Sequence, residues 1–300
     1  MSKVQILLST YNGEKYIKEQ IESILSQEKV EINLLIRDDG STDKTLEIVE
    51  KIALENKNIK FYKGKNIGPA KSFMDLINKS GEFEYFAFAD QDDVWKPNKI
   101  ISAINMLKEA EQKPALYMSA LEIVDENLNT IEIKKVNGNF SFEGEIIRNF
   151  ATGCTQVFNQ KLCDIIKQYT PSYIIMHDSW ITRVCYGIGG KVIIDNNTYI
   201  KYRQHKNNVM GYKNDGFKKL KKQFKIAFKE NVNMRVNIAK ELEKGYNKML
   251  TEEASQVVYN LICYMQNKKS KKWLLKNKKF RTNSFKINTK MKLAILLNKF

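Results

Sequence analysis

With 300 residues and 43% hydrophobic composition, the chain can bury the core of one large α/β domain, or of one domain plus an appendage. No run of 18 apolar residues occurs, so no transmembrane helix is expected, and Val4–Leu8 is too short an apolar stretch for a secretion signal. The four cysteines (Cys154, Cys163, Cys185, Cys263) form no C-x-x-C pair and read as structural thiols of a reducing cytoplasm.

The formal net charge of +16 is uneven. Residues 1–212 carry 27 Lys+Arg against 28 Asp+Glu, and residues 213–300 carry 23 against 6. A near-neutral domain over 1–212 is expected to join a basic, mainly helical region over 213–300. The excess calls for a polyanionic partner or surface.

In chain order, Lys3–Ser9 reads as a strand, followed by Thr10-Tyr11-Asn12-Gly13. Asn12 is the expected N-cap of a helix with Ile17, Ile21, Ile24 and Leu25 on one face. Ile32–Ile36 is a second strand ending in Arg37-Asp38-Asp39-Gly40-Ser41, and Ser41 or Thr42 is expected to cap the next helix. Ile59–Tyr62 is a third strand, then the loop Lys65-Asn66-Ile67-Gly68 precedes another helix. The fourth strand begins at Tyr85 and runs into Asp90-Gln91-Asp92-Asp93-Val94-Trp95. This alternation predicts a mostly parallel sheet flanked by helices, with its loops gathered at one edge.

Three carboxylates within four positions repel one another and favour a cation between them. Carboxylate oxygens suit hard Mg²⁺ or Mn²⁺, and ligands of open α/β sheets lie beyond the carboxyl ends of the strands. Read alone, Asp90 to Asp93 is also an acidic turn before a helix starting near Pro97. The loops after the first, second and fourth strands would bring Thr10/Tyr11, Asp38/Asp39 and Asp90/Asp92 to one rim. Such a set offers a nucleotide a wall for its base, acceptors for its N–H and a metal for its phosphates. Neither G-x-G-x-x-G nor G-x-x-x-x-G-K-[ST] is present, so no glycine cradle handles the phosphates.

Taken with Thr152-Gly153-Cys154, His177-Asp178-Ser179-Trp180 and Tyr202-Arg203-Gln204-His205, these motifs resemble the family 2 glycosyltransferases of GT-A (Rossmann-like) fold. The D-Q-D-D-x-W, H-D-x-W and Y-R-Q-H forms are most similar to the bacterial rhamnosyltransferase-like branch. The resemblance covers roughly 1–212. It implies inverting transfer of one sugar from a nucleoside diphosphate sugar, with a dTDP- or UDP-linked donor, to a glycan or lipid-linked acceptor in cell-surface polysaccharide synthesis.

Under that resemblance Asp92 ligates Mg²⁺ or Mn²⁺, Asp90 meets the ribose or the metal, and Asp93 either joins them or caps the following helix. Asp38 and Asp39 resemble the base-binding pair. Tyr11 lies over the base or in the core, and Asn66 and Gly68 border the ribose. His205 resembles a metal ligand, and Arg203 and Lys206 could meet the diphosphate. Asp178 is the candidate general base. Bulky apolar neighbours raise its basicity; the alternative is a cap on a helix over Ser179–Tyr186, which does not exclude catalysis. Gly153, Cys154, Thr155, His177 and Trp180 are assigned to the acceptor side. The Q-x-x-R-W of processive members is absent, which argues for one sugar per binding event.

The tail contains Phe217, Leu220, Phe224, Ala227 and Phe228 on one helical stripe among lysines, the basic segment Lys271–Lys276, and apolar Met291–Leu297. Such segments suit an anionic membrane surface, or pack on the catalytic domain. The expected location is the cytoplasm, peripheral on the inner face of the membrane. A nucleic-acid-binding protein would also be basic, but the charge lies outside the motif-bearing domain and no finger, helix-turn-helix or RNP signature appears. A sugar nucleotidyltransferase would need a glycine-rich start of G-x-G-T-R-L type, which is missing.

Overall fold

A computed structural model describes residues 1–205 and 233–300. The elements of the first unit are β1 (Ser2–Thr10), α1 (Ile17–Leu25), β2 (Val30–Asp38), α2 (Thr45–Glu55), β3 (Ile59–Lys63), α3 (Pro69–Lys79), β4 (Tyr85–Ala89), β5 (Val94–Trp95), α4 (Lys99–Leu107), β6 (Ala115–Val124) and β7 (Thr130–Lys134). After the excursion that holds α5 (Phe142–Ile147) come β8 (Val157–Asn159), α6 (Gln160–Lys167), α7 (His177–Gly187) and β9 (Lys191–Arg203). The strands form one sheet in the order β3-β2-β1-β4-β8-β6-β9-β5, with β7 paired to β6.

The expected parallel sheet is the half β3-β2-β1-β4. Beyond β4 the sheet is mixed. β8 runs antiparallel to both β4 and β6, while β6 and β9 are parallel. Buried parallel strands read as continuous apolar runs, and β4 (YFAFA) is buried at every position. The helices present apolar stripes to the sheet. Ile17, Ile21 and Ile24 of α1 and Ile100, Ala103, Ile104 and Leu107 of α4 join one core with Val4, Ile6, Leu34, Ile36 and Ala87. Pro69 opens α3, where its missing N–H costs nothing.

The second unit comprises Asn137–Asn149, Pro171–Tyr173 and Gln204–Phe300. Among its described residues it contains α5, α8 (Met234–Tyr246), α9 (Glu252–Cys263), α10 (Lys268–Lys276) and α11 (Phe285–Leu296). Val236, Leu242, Val257, Leu261, Leu274, Phe280, Ile295 and Phe300 are buried. Arg235 donates to the Ile147 carbonyl at 2.7 Å and lies over the Phe300 ring. The buried Glu241 carboxylate accepts from both the backbone N–H and the hydroxyl of Ser172. Among the described residues no helix is long and apolar enough to cross a membrane. The expected boundary near 212, Lys206 and the apolar stripe from Phe217 to Phe228 lie outside the described residues.

Candidate active site

β1, β2 and β4 end side by side: Thr10 stands opposite Asp38, and Leu8 opposite Ala89. The loops after β1 and β2 are bonded to each other. Asn12, at φ 49°, accepts from Thr42 N at 2.9 Å, and its own N–H donates to Ser41 Oγ at 2.9 Å. Asn12, Ser41 and Thr42 are therefore spent between loops and cap no helix. The first turn of α2 is met by Asp43, whose Oδ1 accepts from Thr45 N at 3.0 Å. Gly40 takes φ 85°, and a methyl on it would stand 3.3 Å from both Asn66 N and Gly64 O, so glycine permits the turn.

Gln91 joins the β1 loop to the β4 loop. Its Oε1 accepts from Thr10 Oγ1 at 2.7 Å and Tyr11 N at 2.8 Å, and its Nε2 donates to Tyr11 O at 3.2 Å. Thr10 is buried beneath this clamp, while the Tyr11 ring is 46% exposed and does not belong to the core.

The adjacent acids Asp38 and Asp39 have different environments. Asp39 pairs with Arg37 and accepts from Ile67 N and Gly68 N at 3.0 and 2.9 Å. Arg37 also donates to Asp75 at 2.9 Å and to the Lys65 carbonyl at 3.0 Å. Asp39 thus holds the 65–68 loop and has little capacity left for a base. Asp38 accepts from Gly40 N and Ser41 N through Oδ1 alone, and its buried Oδ2 has no hydrogen-bond partner. Asn66 is exposed, and Gly68, at φ 79°, precedes α3.

The acidic loop sits at the β4 end. Burial pushes the Asp90 carboxyl up to about 7, and the Asp92 and Asp178 carboxylates push the same way. Asp93 is fully enclosed. Burial, then Asp92 and Asp90, hold its pKa well above the carboxylate range, and one oxygen accepts from Arg203 N at 3.3 Å. It does not cap α4, whose N-cap is Asn98. Ligand atoms of Asp90, Asp93 and Cys154 come within 4.8 Å of one another. Burial, Asp93 and Asp90 raise the Cys154 thiol well above its usual pKa, so it stays protonated. A protonated soft sulfur and a sealed acid suit a hard cation poorly. Asp90 and Asp92, both only partly buried, are the carboxylates of this loop that could hold a hard cation. Beneath them, Lys99 Nζ stands 3.8 Å over the Trp95 ring, and burial lowers its pKa to about 8.

Arg203 does not face a diphosphate. It is 3% exposed. Its Nε donates to the Asp92 carbonyl at 3.0 Å, Nη1 to the Glu126 carbonyl at 2.6 Å and Nη2 to Glu19, so it braces the acidic loop from below. His205 belongs to the second unit.

The first turn of α7 carries His177 and Asp178. Met176 is the N-cap residue, so Asp178 lies inside the helix, where a carboxylate suits the N-terminal dipole. Burial raises its pKa to about 6, against the opposing pull of Ser179 N–H and Arg183. Gln156, wholly buried, donates to the Asp178 carbonyl at 3.1 Å and to Thr182 Oγ1 at 2.9 Å, which fixes this turn. His177 stacks on Phe73 at 3.9 Å and meets Phe88 edge-on, neither ring nitrogen has a hydrogen-bond partner, and burial drops its pKa to about 3. Cys154, Thr155, His177 and Trp180 are each at most 2% exposed. In this structure they are core residues and present no surface of their own. Gly153 is buried with them.

Sequence reasoning missed Gln91, Arg37, Lys99 and Gln156. For Arg37 and Gln91 the available signal was a polar residue at or just past the end of an apolar strand, where burial demands a partner; Lys99, at the start of α4, and Gln156, just before β8, carried no such signal.

The family model described as Glycosyl transferase family 2 matches residues 5–165, more than half of the chain. The chain belongs to glycosyl transferase family 2. This family 2 glycosyltransferase is 30% identical over 217 residues to the dTDP-rhamnosyl transferase RfbG of Shigella flexneri, covering 68% of the chain and 73% of RfbG. It is 29% identical over 181 residues to the uncharacterized glycosyltransferase RT0329 of Rickettsia typhi, covering 58% of the chain and 56% of that protein. Among solved structures, S. aureus TarS 1-349 in complex with UDP-GlcNAc superposes with a TM-score of 0.60 at 19% identity, covering 99% of this chain and 82% of that one. The same TarS fragment with UDP gives 0.58 at 20% identity, covering 92% of this chain and 75% of that one. At such identities the likeness is one of fold, and the fold is GT-A.

Proposed function

We propose that this glycosyltransferase moves one sugar from a nucleoside diphosphate donor to a glycan or lipid-linked acceptor, with inversion. The observation that carries the reading is the clustering of Asp90, Asp92 and Asp178 at the β4 end, with the buried, unpartnered Oδ2 of Asp38 on the same sheet edge. Carboxylates clustered at a strand-end rim repel one another and favour a cation. Asp90 and Asp92 would hold Mg²⁺ or Mn²⁺. A bound divalent ion would stabilise the charge that the leaving diphosphate develops.

The chain's own groups supply the remainder. Asp38 accepts an N–H of the base through its free oxygen, and Tyr11 offers an exposed ring beside it. Asp178 takes the proton from the acceptor hydroxyl as that oxygen bonds to the anomeric carbon. The bond from that carbon to the diphosphate oxygen breaks, and the nucleoside diphosphate leaves. A single displacement inverts the anomeric centre. The absence of Q-x-x-R-W in the sequence supports one transfer per encounter.

The donor reading draws on two comparisons. RfbG is named a dTDP-rhamnosyl transferase, and the TarS structures hold UDP and UDP-GlcNAc. We favour dTDP-rhamnose because RfbG shares more sequence. A panel of dTDP-rhamnose, UDP-GlcNAc and UDP-glucose, assayed for nucleotide release with and without Mn²⁺, tests the reading. Release from none of the three in the presence of metal and acceptor glycans would overturn it.

An anionic membrane surface on the cytoplasmic side is the proposed place of work. Residues 264–300 carry 12 Lys+Arg and no Asp or Glu. On α11, Phe285, Leu293 and Leu296 are 87%, 56% and 55% exposed. Exposed apolar residues among lysines suit a charged lipid interface.

A further inference from the structure

The second unit contains a cavity of about 620 Å³ that the reaction above does not use, within the size range of small-molecule sites. Its cationic wall is α10, where Lys269, Lys272 and Lys276 line it at helical spacing and Lys279 follows just beyond the helix. Lys279 reaches an acid, Glu253, at 3.8 Å, with both side chains mostly exposed. No ion pair engages the other three among the described residues. The segment that supplies all four, 264–300, has no acidic residue of its own. Four lysines against two glutamates, Glu143 and Glu253, leave the lining net positive, which suits a phosphate.

The indole of Trp273 lies among them, half-buried, in the same wall. An aromatic face beside a few polar groups is the composition of a site that orients an organic ligand, beyond a plain anion patch. Gln256, Glu143 and Glu253 also line the cavity, and their side chains are of a type that accepts from hydroxyl groups. A purely solvating lysine face would need neither the concavity nor the indole.

We propose that this cavity binds a phosphorylated saccharide, with the phosphate against Lys272 and Lys276 and the sugar ring against Trp273. The sugar half of the assignment rests on the glycosyl-transfer reading, in which the ligand is a segment of the acceptor. The phosphate half rests on the lysines.

Tryptophan fluorescence of the full chain tests it, because Trp95 and Trp180 are buried and Trp273 is the accessible reporter. Titration with α-glucose 1-phosphate is expected to give a saturable change that is absent in Trp273→Phe. The double variant Lys272→Glu, Lys276→Glu keeps helix-favouring residues and is expected to bind at least tenfold more weakly. Nucleotide affinity, read by calorimetry with UDP or dTDP, should stay unchanged in it. The proposal is overturned by a flat titration, by inorganic phosphate binding as tightly as the sugar phosphate, or by unaltered affinity in the double variant. It is also overturned if the double variant loses sedimentation with phosphatidylglycerol vesicles while the sugar phosphate titration of the unaltered chain is flat. Failure of the glycosyl-transfer reading looks different: no nucleotide release from any sugar donor, with sugar phosphate binding intact.

Discussion

Gly153 and His177 fit together by the absence of a side chain: a methyl on Gly153 would stand 2.7 Å from His177 Nε2 and 3.5 Å from Asp178 Cβ. Gly153→Ala should therefore shift the start of α7 and cost about 1–3 kcal/mol, with a matching loss of turnover as Asp178 moves. Denaturant unfolding and an activity assay check both effects. His177→Phe should cost little, within about 1 kcal/mol, because the ring has no hydrogen bonds to lose and already sits between Phe73 and Phe88.

Asp38 and Asp39 should respond oppositely to substitution. Removing Asp39 leaves the Arg37 guanidinium buried without its nearest carboxylate, and Asp39→Ala should cost about 3–5 kcal/mol of stability. Asp38→Asn retains an acceptor for Gly40 and Ser41 and turns the free oxygen into a donor. Stability should change little, while nucleotide affinity falls about tenfold or more by calorimetry.

The pH profile follows from Asp178. A general base works deprotonated, so kcat/KM should rise with pH and lose its acid limb's slope above about 6. A cation held by Asp90 and Asp92 would move that limb lower. The stability sign is the reverse. The folded pKa lies above the ordinary carboxylate value, so the protonated form favours the native state. That contribution is full below about pH 4 and lost as pH rises through about 6. Asp178→Asn should accordingly be at least as stable as the parent at pH 7, yet inactive, with donor affinity retained.

Chelation by EDTA should remove nucleotide release, and Mn²⁺ should restore it. Asp92→Asn should abolish metal-dependent donor binding in a calorimetric titration. Unchanged affinity would show that Asp92 holds no cation.

Membrane contact predicts that the full chain sediments with vesicles containing phosphatidylglycerol and not with neutral ones. Replacing Leu293 and Leu296 of α11 by Ser should weaken that binding severalfold without altering donor affinity. Equal sedimentation of the variant would exclude this helix from the contact.

Much of the fold is legible in the residues because its signals are local. The buried runs Val4–Leu8, Leu34–Ile36 and Tyr85–Ala89, spaced by amphipathic helices, specify the parallel half of the sheet. The mixed half is not written so plainly: β8 is three residues long, too short to carry a period, and its antiparallel pairing depends on partners far away in sequence. Motif spelling singled out residues that the fold gathers at the ends of β1, β2 and β4, but not how each of them is engaged by its neighbours. Asp38 and Asp39 are alike as letters, and the supply of N–H groups from residues 67 and 68 separates them. Arg203 reads as a phosphate donor until its guanidinium is found satisfied by Glu19 and two carbonyls. Trp180 and Cys154 lie beside motif residues and are nevertheless sealed, which no spacing could reveal.

One side-chain amide, that of Gln91, ties the Thr10–Tyr11 loop to the acidic loop after β4, which the proposed function assigns to the base and to the phosphates. The two ends of a bound donor would therefore press on a single mechanical part. A nucleotide that displaced Tyr11 would drag the carboxylates with it. Tolerance for altered bases should then be narrow even where the sugar itself has room, and loosening Gln91 is the substitution through which a broader choice of donors could arise.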